Sequence, residues 1–419
     1  MMISEKDKEA FVWVWLPGQT EPVVAGKLEA DGDRLLFNYG KSYLERIGAT
    51  PSAISLFEPE LPLIKGLQSP PEGLAMPGCI RDAAPDAWGR RVIINKQLGL
   101  KGADVDPAYL NELTYLLESG SDRIGALDFQ RSATEYRPRA AQSATLAELQ
   151  ASAERVEKGN PLTPELDQAL FHGSSIGGAR PKALIEDNGV KYIAKFSSTT
   201  DLYSVVKAEY IAMRLASLAG LNVAPVRLAK SANKDVLLIE RFDRKRTQSG
   251  WLRKPLVSAL TMLGLDDMMA RYASYEDLAE IIRHRFAEPR QTLRELFSRL
   301  VFNILCGNTD DHARNHAAFW NGCQLELTPA YDICPQGRTG QEASQAMLIA
   351  GQNNLSQLST CLQAAHNFLL SENEAKEIFA HTTSAITNNW ATVCEEAELF
   401  PVDAELLWRR QFLNPFSLN

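Results

Sequence analysis

The six cysteines of this 419-residue chain, Cys79, Cys306, Cys323, Cys334, Cys361 and Cys394, include no CxxC pair. Zinc ribbons and fingers need closely spaced ligands, so the pattern reads as reduced thiols in a cytoplasmic protein. No apolar run approaches the roughly 20 residues of a membrane-spanning helix, and no membrane contact is expected. The start, MMISEKDKEA, has neither the basic nor the apolar region of a secretory signal. Positive charge is also short: 44 Lys and Arg stand against 52 Asp and Glu, a net charge of -8. Generic nucleic-acid binding needs a cationic surface that displaces counterions, so contact with DNA is expected only through a partner. There is no internal repeat and no low-complexity tract. What remains, at 45% hydrophobic and 23% charged, is a folded globular chain too long for one small core.

The N-terminal part reads as mainly β. FVWVWL (11–16) is aromatic and β-branched. VVAGKL and RLLFNY read as a hairpin around an Asp31-Gly32 turn. Prolines near both ends of PSAISLFEPELPL (51–63) predict short strands there. Helical stretches follow within 81–99 and 107–120, and the polar stretch 131–143 reads as a linker or domain edge. TLAELQASAERVEKG predicts an amphipathic helix. KALIED and VKYIAKF predict a hairpin joined by Asn188-Gly189, the strongest short turn signal. SVVKAEYIAMRLASLAG is helical in pattern and stops at Gly220. DVLLIERF reads as a buried strand. Helical patterns dominate from about residue 255, including TLRELFSRLVFNILC.

Directly behind that last run stands NTDDHARNH (308–316), with two aspartates, two histidines, an arginine and two asparagines. A metal site, a phosphate-transfer site and a solvated loop would each use such residues. Asp310 and Asn315 have the D-x-x-x-x-N spacing of a kinase catalytic loop, in which the Asp orients or deprotonates the attacking hydroxyl and the Asn holds a metal ion. Asp332, in TPAYDICPQ, follows a hairpin signal and can close on the same ion. Mg2+ takes one or two carboxylates besides phosphate oxygens and water. Upstream, GSSIGGARPKALI (173–185) carries the Gly177-Gly178 pair, which lets backbone N–H groups approach phosphates; a tight turn would use the same glycines. Lys195 sits on the second strand of the Asn188-Gly189 hairpin, and Glu209 lies on the next helix, as in the Lys–Glu pair of protein kinases. LLIERFD (237–243) ends a strand where a kinase hinge receives adenine. Each feature has a structural reading alone; their succession is the order of kinase parts.

With these motifs the chain resembles the HipA-type serine/threonine kinases, the toxins of bacterial toxin–antitoxin pairs. SSIGGARPK is similar to the family's Gly-rich loop, LLIERFD to its hinge, and NTDDHARNHAAFW and LTPAYDI to its catalytic and metal loops. GKLEADGDRLLFNY and AISLFEPELPL resemble its N-terminal β-subdomain. The resemblance implies an α+β, kinase-like bilobal fold with a mixed N-terminal lobe, an extra β-subdomain and an all-helical C-terminal lobe. On this chain the divisions would be 1–130, 131–250 and 251–419. It implies ATP and Mg2+ as cofactors, with Ser175, Ile176, Gly177, Gly178, Ala179, Lys182 and Lys195 on the phosphates. Glu240 and Phe242 would meet adenine, and Asp243 the ribose. Asp310 would be the catalytic residue and Asn315 and Asp332 the metal ligands. His312 would either touch the transferred phosphoryl group or brace the loop, and Asp311 and His316 would be structural or solvated. Autophosphorylation would fall on Ser175, or on Ser174 beside it. The implied substrate is a translation protein such as an aminoacyl-tRNA synthetase, and the implied partner a helix-turn-helix antitoxin of HipB type, through which DNA is reached. RKPLVSALTMLG (253–264) departs from the His/Glu/Asp-containing segment found there in many members. Two other readings stand beside the kinase: a catalytically weak nucleotide-binding co-repressor, and a metal-dependent phosphohydrolase with Asp311, His312 and His316 as ligands.

Overall fold

The computed structural model describes residues 7–98, 106, 108, 110–139, 144–157, 180–197, 201, 203–231, 233–338 and 340–419. Packing divides the chain into two compact units. The first comprises Met1–Thr200, Ala229–Val257 and Trp320–Cys323, and the second Asp201–Leu228, Ser258–Phe319 and Gln324–Asn419. The helix bearing Glu209 thus belongs to the second unit, although the expected division at 131–250 grouped it with the Lys195 strand.

The first unit holds one antiparallel sheet and, apart from Val226–Leu228, a second. Strands β1 (Glu9–Val14), β2 (Val23–Asp31), β3 (Arg34–Tyr39), β4 (Leu67–Gln68) and β5 (Leu127–Gln130) form one sheet in the order β4-β3-β2-β1-β5. Asp31 pairs with Arg34, so the turn residues are Gly32 and Asp33, one position beyond the expected Asp31-Gly32. The shift has a physical reason: φ is +60° at Gly32, and glycine belongs at the first central position of a type II′ turn. Gly26 is fixed by space, since a Cβ there would lie 2.2 Å from the Asn38 carbonyl oxygen. The short strands expected within 51–63 reduce to one bridge, Phe57 with Leu61, consistent with prolines that cannot donate to a ladder. The buried Tyr39 hydroxyl fastens this segment, donating to the Leu61 carbonyl (2.7 Å) and accepting from the Leu56 amide (2.9 Å).

The second sheet comprises β6 (Lys182–Asp187), β7 (Val190–Phe196), β8 (Val226–Ser231) and β9 (Lys234–Glu240) in the order β6-β7-β9-β8. Asn188 and Gly189 both have positive φ (51° and 73°), as a type I′ hairpin requires. One face of this sheet is buried. Ala183, Ala194, Phe196, Val236 and Leu238 pack with Leu149, Ala153 and Val156 of the helix Leu146–Glu157, and with Trp88 and Val92 of the helix Ala87–Leu98. The i, i+4, i+7 spacing of the first helix's stripe is what aligns it on that face. A hairpin of β10 (Arg244–Thr247) and β11 (Gly250–Arg253) follows β9.

The second unit is mainly helical. Its longer helices are Val205–Leu218, Tyr275–Arg285, Pro289–Cys306 and Glu372–Glu396. Ser274 caps the second of these by accepting from the Glu276 and Asp277 amides, and a Ser371–Glu374 capping box opens the last. The paired short strands Ala317–Trp320 and Leu325–Leu327 supply the hairpin expected before Asp332. Among the described residues no helix is long and apolar enough to cross a membrane.

Pro289–Cys306 ends at Gly307, which has left-handed φ (74°). A Cβ at Gly307 would lie 2.7 Å from the Gln411 carbonyl oxygen. Gly307→Ala is therefore expected to lower stability by about 1–3 kcal/mol, read by urea unfolding. A variant as stable as the parent would show that this backbone is not held in place.

Candidate phosphotransfer site

The loop behind Gly307 is built on buried polar anchors. Asn308 donates from its amide to the Asn303 carbonyl (2.8 Å) and from Nδ2 to Asn303 Oδ1 (3.0 Å). Asp311 is buried, lies 3.0 Å from His316 Nε2, and accepts a hydrogen bond from the Tyr275 hydroxyl. Burial would raise the Asp311 carboxyl, but His316 and the bond from Tyr275 outweigh it and hold it below the usual range. Between these anchors the chain makes one tight turn. The His312 amide donates to the Asp310 carbonyl (2.9 Å) and the Asn315 amide to the His312 carbonyl (2.8 Å). Asn315, only 8% exposed, donates from Nδ2 to the Asp310 carbonyl (3.1 Å), which assigns its side-chain oxygen to any other partner.

Asp310 is exposed at the loop surface. Its carboxyl is pushed up mainly by desolvation; His312 pulls it down, and the charges of Asp332 and Asp311 push it up again. Asp332 therefore lies within electrostatic reach of Asp310. Asp332 has φ +59°, a strained left-handed position for a residue other than glycine, of the kind that gathers at functional sites. The neighbouring Tyr331 hydroxyl donates to the Arg314 carbonyl (2.7 Å) and ties this segment to the 313–315 turn. A carboxylate and a carboxamide oxygen are donor types that suit Mg2+. Among the described residues no three His, Cys, Asp or Glu side chains cluster as a metal site. Asp311 and His316 face each other and Tyr275, so the hydrolase ligand set of Asp311, His312 and His316 is not assembled. The His312 Nδ1 is buried without a hydrogen-bond partner among the described residues.

In the first unit, Lys182 and Lys195 are direct cross-strand partners, followed by Leu184 with Ile193; across β7, Lys195 faces Leu237 and Ile193 faces Ile239. Directly opposed residues of an antiparallel pair share a face. This face, opposite the one packed under the two helices, is an apolar floor with two lysines at one end. Like charges directly opposed are unfavourable. Lys182 is only 4% exposed. Glu240 ends β9, and Phe242 is half-buried just beyond it. Glu209, 2% exposed, lies on the helix Val205–Leu218 of the second unit. Ser174, Ser175, Ile176, Gly177, Gly178 and Ala179 lie outside the described residues.

Asp243 has partners unlike the ribose contact expected of it. It is 2% exposed and accepts from Arg241 Nε (2.9 Å) and Nη2 (2.8 Å), Arg244 Nη1 (2.7 Å) and the Gly125 amide (2.8 Å). Burial would raise its carboxyl, but the two guanidiniums more than offset this and hold it at about 2. Its contacts make it a fastening between the 122–125 segment and the end of β9. Sequence reasoning missed this clamp and Tyr275, because their partners are far apart in the chain; only the RFDRKR run hinted at the arginines.

The fold is kinase-like, bilobal and α+β. The solved structure of HipA from Shewanella oneidensis, determined with HipB and operator DNA, matches it with a TM-score of 0.67 at 20% identity, over 92% of this chain and 92% of that one. The chain belongs to the HipA family: the HipA-like C-terminal domain matches residues 174–390 and the HipA N-terminal domain residues 14–130. The serine/threonine-protein kinase toxin HipA of Shewanella oneidensis is 26% identical over 186 residues, 38% of this chain and 42% of that protein. A Sinorhizobium fredii protein, named a kinase by inference, is 30% identical over 147 residues, 34% of this chain and 33% of that protein. The matches to these two relatives thus span between a third and a half of their length.

Proposed function

We propose that the chain is an ATP- and Mg2+-dependent serine/threonine kinase, the toxin of a toxin–antitoxin pair. The observation that carries this reading is the 308–316 loop, which presents Asp310 at its surface, engages Asn315 through its Nδ2 rather than its side-chain oxygen, and lies within electrostatic reach of Asp332. Asp310 orients the substrate hydroxyl and accepts its proton. Asn315 and Asp332 hold the metal ion, which when bound neutralises charge on the transferring phosphoryl group. Lys182 and Lys195 hold the phosphates, with adenine at Glu240 and Phe242. His312 belongs to the same loop as a contact or brace for the phosphoryl group. The substrate is a translation protein such as an aminoacyl-tRNA synthetase. A HipB-type antitoxin is the partner, and operator DNA is reached through it. The names of the HipA relatives support this reading.

A Ser in the Gly-rich loop is the site of self-inactivation. A phosphate there adds about -1.5 to -2 charges at pH 7, which repels ATP's own phosphates and draws the loop toward cations such as Arg180 or Lys182. Incubation with labelled ATP and Mg2+ tests the reading. The expected result is label in protein, with phosphate on Ser175, or on Ser174 beside it, in the peptide spanning 165–180, followed by falling activity. Label released only as free phosphate would indicate a hydrolase, and no turnover at all a co-repressor. Label on substrate with that peptide unmodified would remove the switch alone.

A further inference from the structure

A polar cavity of about 240 Å³ lies within the first unit, walled by Trp15, Asp122, Lys191, Arg244, Trp251 and Arg253 among others. Asp122 Oδ1 accepts from Arg241 Nη1 (3.0 Å) and from Arg244 Nε (3.2 Å) and Nη2 (3.0 Å), and Oδ2 accepts from Lys191 Nζ. Asp243 takes up charge from Arg241 and Arg244. Three cations, Lys191, Arg241 and Arg244, thus ion-pair with two carboxylates, which leaves one positive charge over, and Arg253 adds a second; the exposed Glu21 in the lining returns one.

Arg253 is the open member of this set. Its guanidinium lies 3.5 Å from the Trp15 ring centroid, and Nη1 donates to the Ser121 carbonyl (2.8 Å). Nε and Nη2 have no protein acceptor among the described residues. Stacking on Trp15 fixes the plane of the fork, and a fixed guanidinium fork matches two oxygens of one oxyanion. Lys191 is held as well, 5.2 Å from the Trp251 ring centroid and bonded to Asp122. The cavity is smaller than the roughly 300–1,000 Å³ pockets that enclose drug-sized ligands, so it suits a small dianion rather than a whole nucleotide. Burial weakens the Arg253 charge below its ordinary hold on the proton, and a bound anion would reverse that.

We propose that this cavity binds a phosphate dianion, free or as the monoester of a small molecule, with Arg253 as forked donor and Lys191 as second cation. The site is separate from the Lys182–Lys195 pair, and the proposal does not rest on kinase activity. The test is titration of the full chain with inorganic phosphate at constant ionic strength. It is followed by calorimetry and by the indole N–H signals of Trp15 and Trp251. Saturable binding that shifts both signals is expected. Arg253→Met should weaken it about tenfold or more, while Lys195→Met should leave the two indole shifts unchanged. Equal binding by Arg253→Met overturns the proposal, as does loss of the indole shifts in Lys195→Met. Should Arg253→Met fail to fold, the parent protein decides: indole signals unmoved by phosphate overturn the site. Glycerol 3-phosphate distinguishes the sources, tighter binding of the ester marking a phosphorylated metabolite and tighter binding of phosphate the free ion.

Discussion

Asp310→Asn is expected to cut phosphotransfer by about 10²–10⁴-fold, the usual worth of a positioned acid/base group, while the protein unfolds at the same temperature as its parent. The two halves have one cause. Asp310 is exposed, and desolvation together with the charges of Asp332 and Asp311 works against its ionised form, so removing the charge removes nothing that holds the fold. Asn is also close to isosteric. Asp332→Asn should behave alike, because Asn tolerates the left-handed φ of 59° found there. Phosphate transfer to protein and a thermal melt, measured on the same preparations, check both halves. Near-parental transfer by either variant would refute the catalytic assignment, and a large loss of melting temperature would make the residue structural.

The opposite pattern is expected at Asp243. Asp243→Asn leaves Arg241 and Arg244 buried with one carboxylate fewer, and breaking a buried ion pair from one side costs about 3–5 kcal/mol. The melting temperature should drop by roughly 10 °C. The effect has a definite pH signature. The Asp243 carboxyl is held at about 2, below the ordinary value near 4, so its stabilisation is complete above pH of about 4 and fades as pH falls toward about 2. The gap between parent and variant should therefore be full at pH 7 and narrow across that window. Asp128 is likewise held at about 2, by Arg123 and Arg139 against its own burial, so the parent keeps some acid sensitivity after the Asp243 contribution is gone. A gap unchanged between pH 7 and the bottom of the window would mean that the loss comes from packing.

Features set by neighbouring residues were legible in the sequence. Asn188-Gly189 marks its hairpin because two adjacent positive φ values are needed there, and few residue pairs supply them. The short strands expected in 51–63 shrink to the single Phe57–Leu61 bridge, since each proline removes a ladder donor locally. Asp310 and Asn315 were legible because one turn of the loop fixes their spacing. The Asp31-Gly32 turn was displaced by one residue, because only pairing of Asp31 with Arg34 shows which side of the glycine the chain reverses. The pairing of Lys182 with Lys195 also needed the register, which made two separate lysines into neighbours. Tyr275 and Asp311 are 36 positions apart, and Arg253 and Ser121 are 132 apart; no local pattern joins such pairs. The Asp243 clamp was hidden for the same reason, since its position after the hinge strand is visible and its arginine and Gly125 partners are not.

The clamp between Gly125 and Asp243 also sets an order of events during synthesis. Its two ends are 118 positions apart, and ribosomes add about 5–20 residues per second, so roughly 6–24 s separate their emergence. Throughout that interval β1, β2, β3 and β5 are already available to pair, while the Gly125 amide and the carbonyl of Arg123 await Asp243, Arg241 and Arg244. The N-terminal sheet must therefore stand, or be sheltered, for seconds without its fastening. Its closure is scheduled by translation of the β9 region rather than by the sheet's own folding speed.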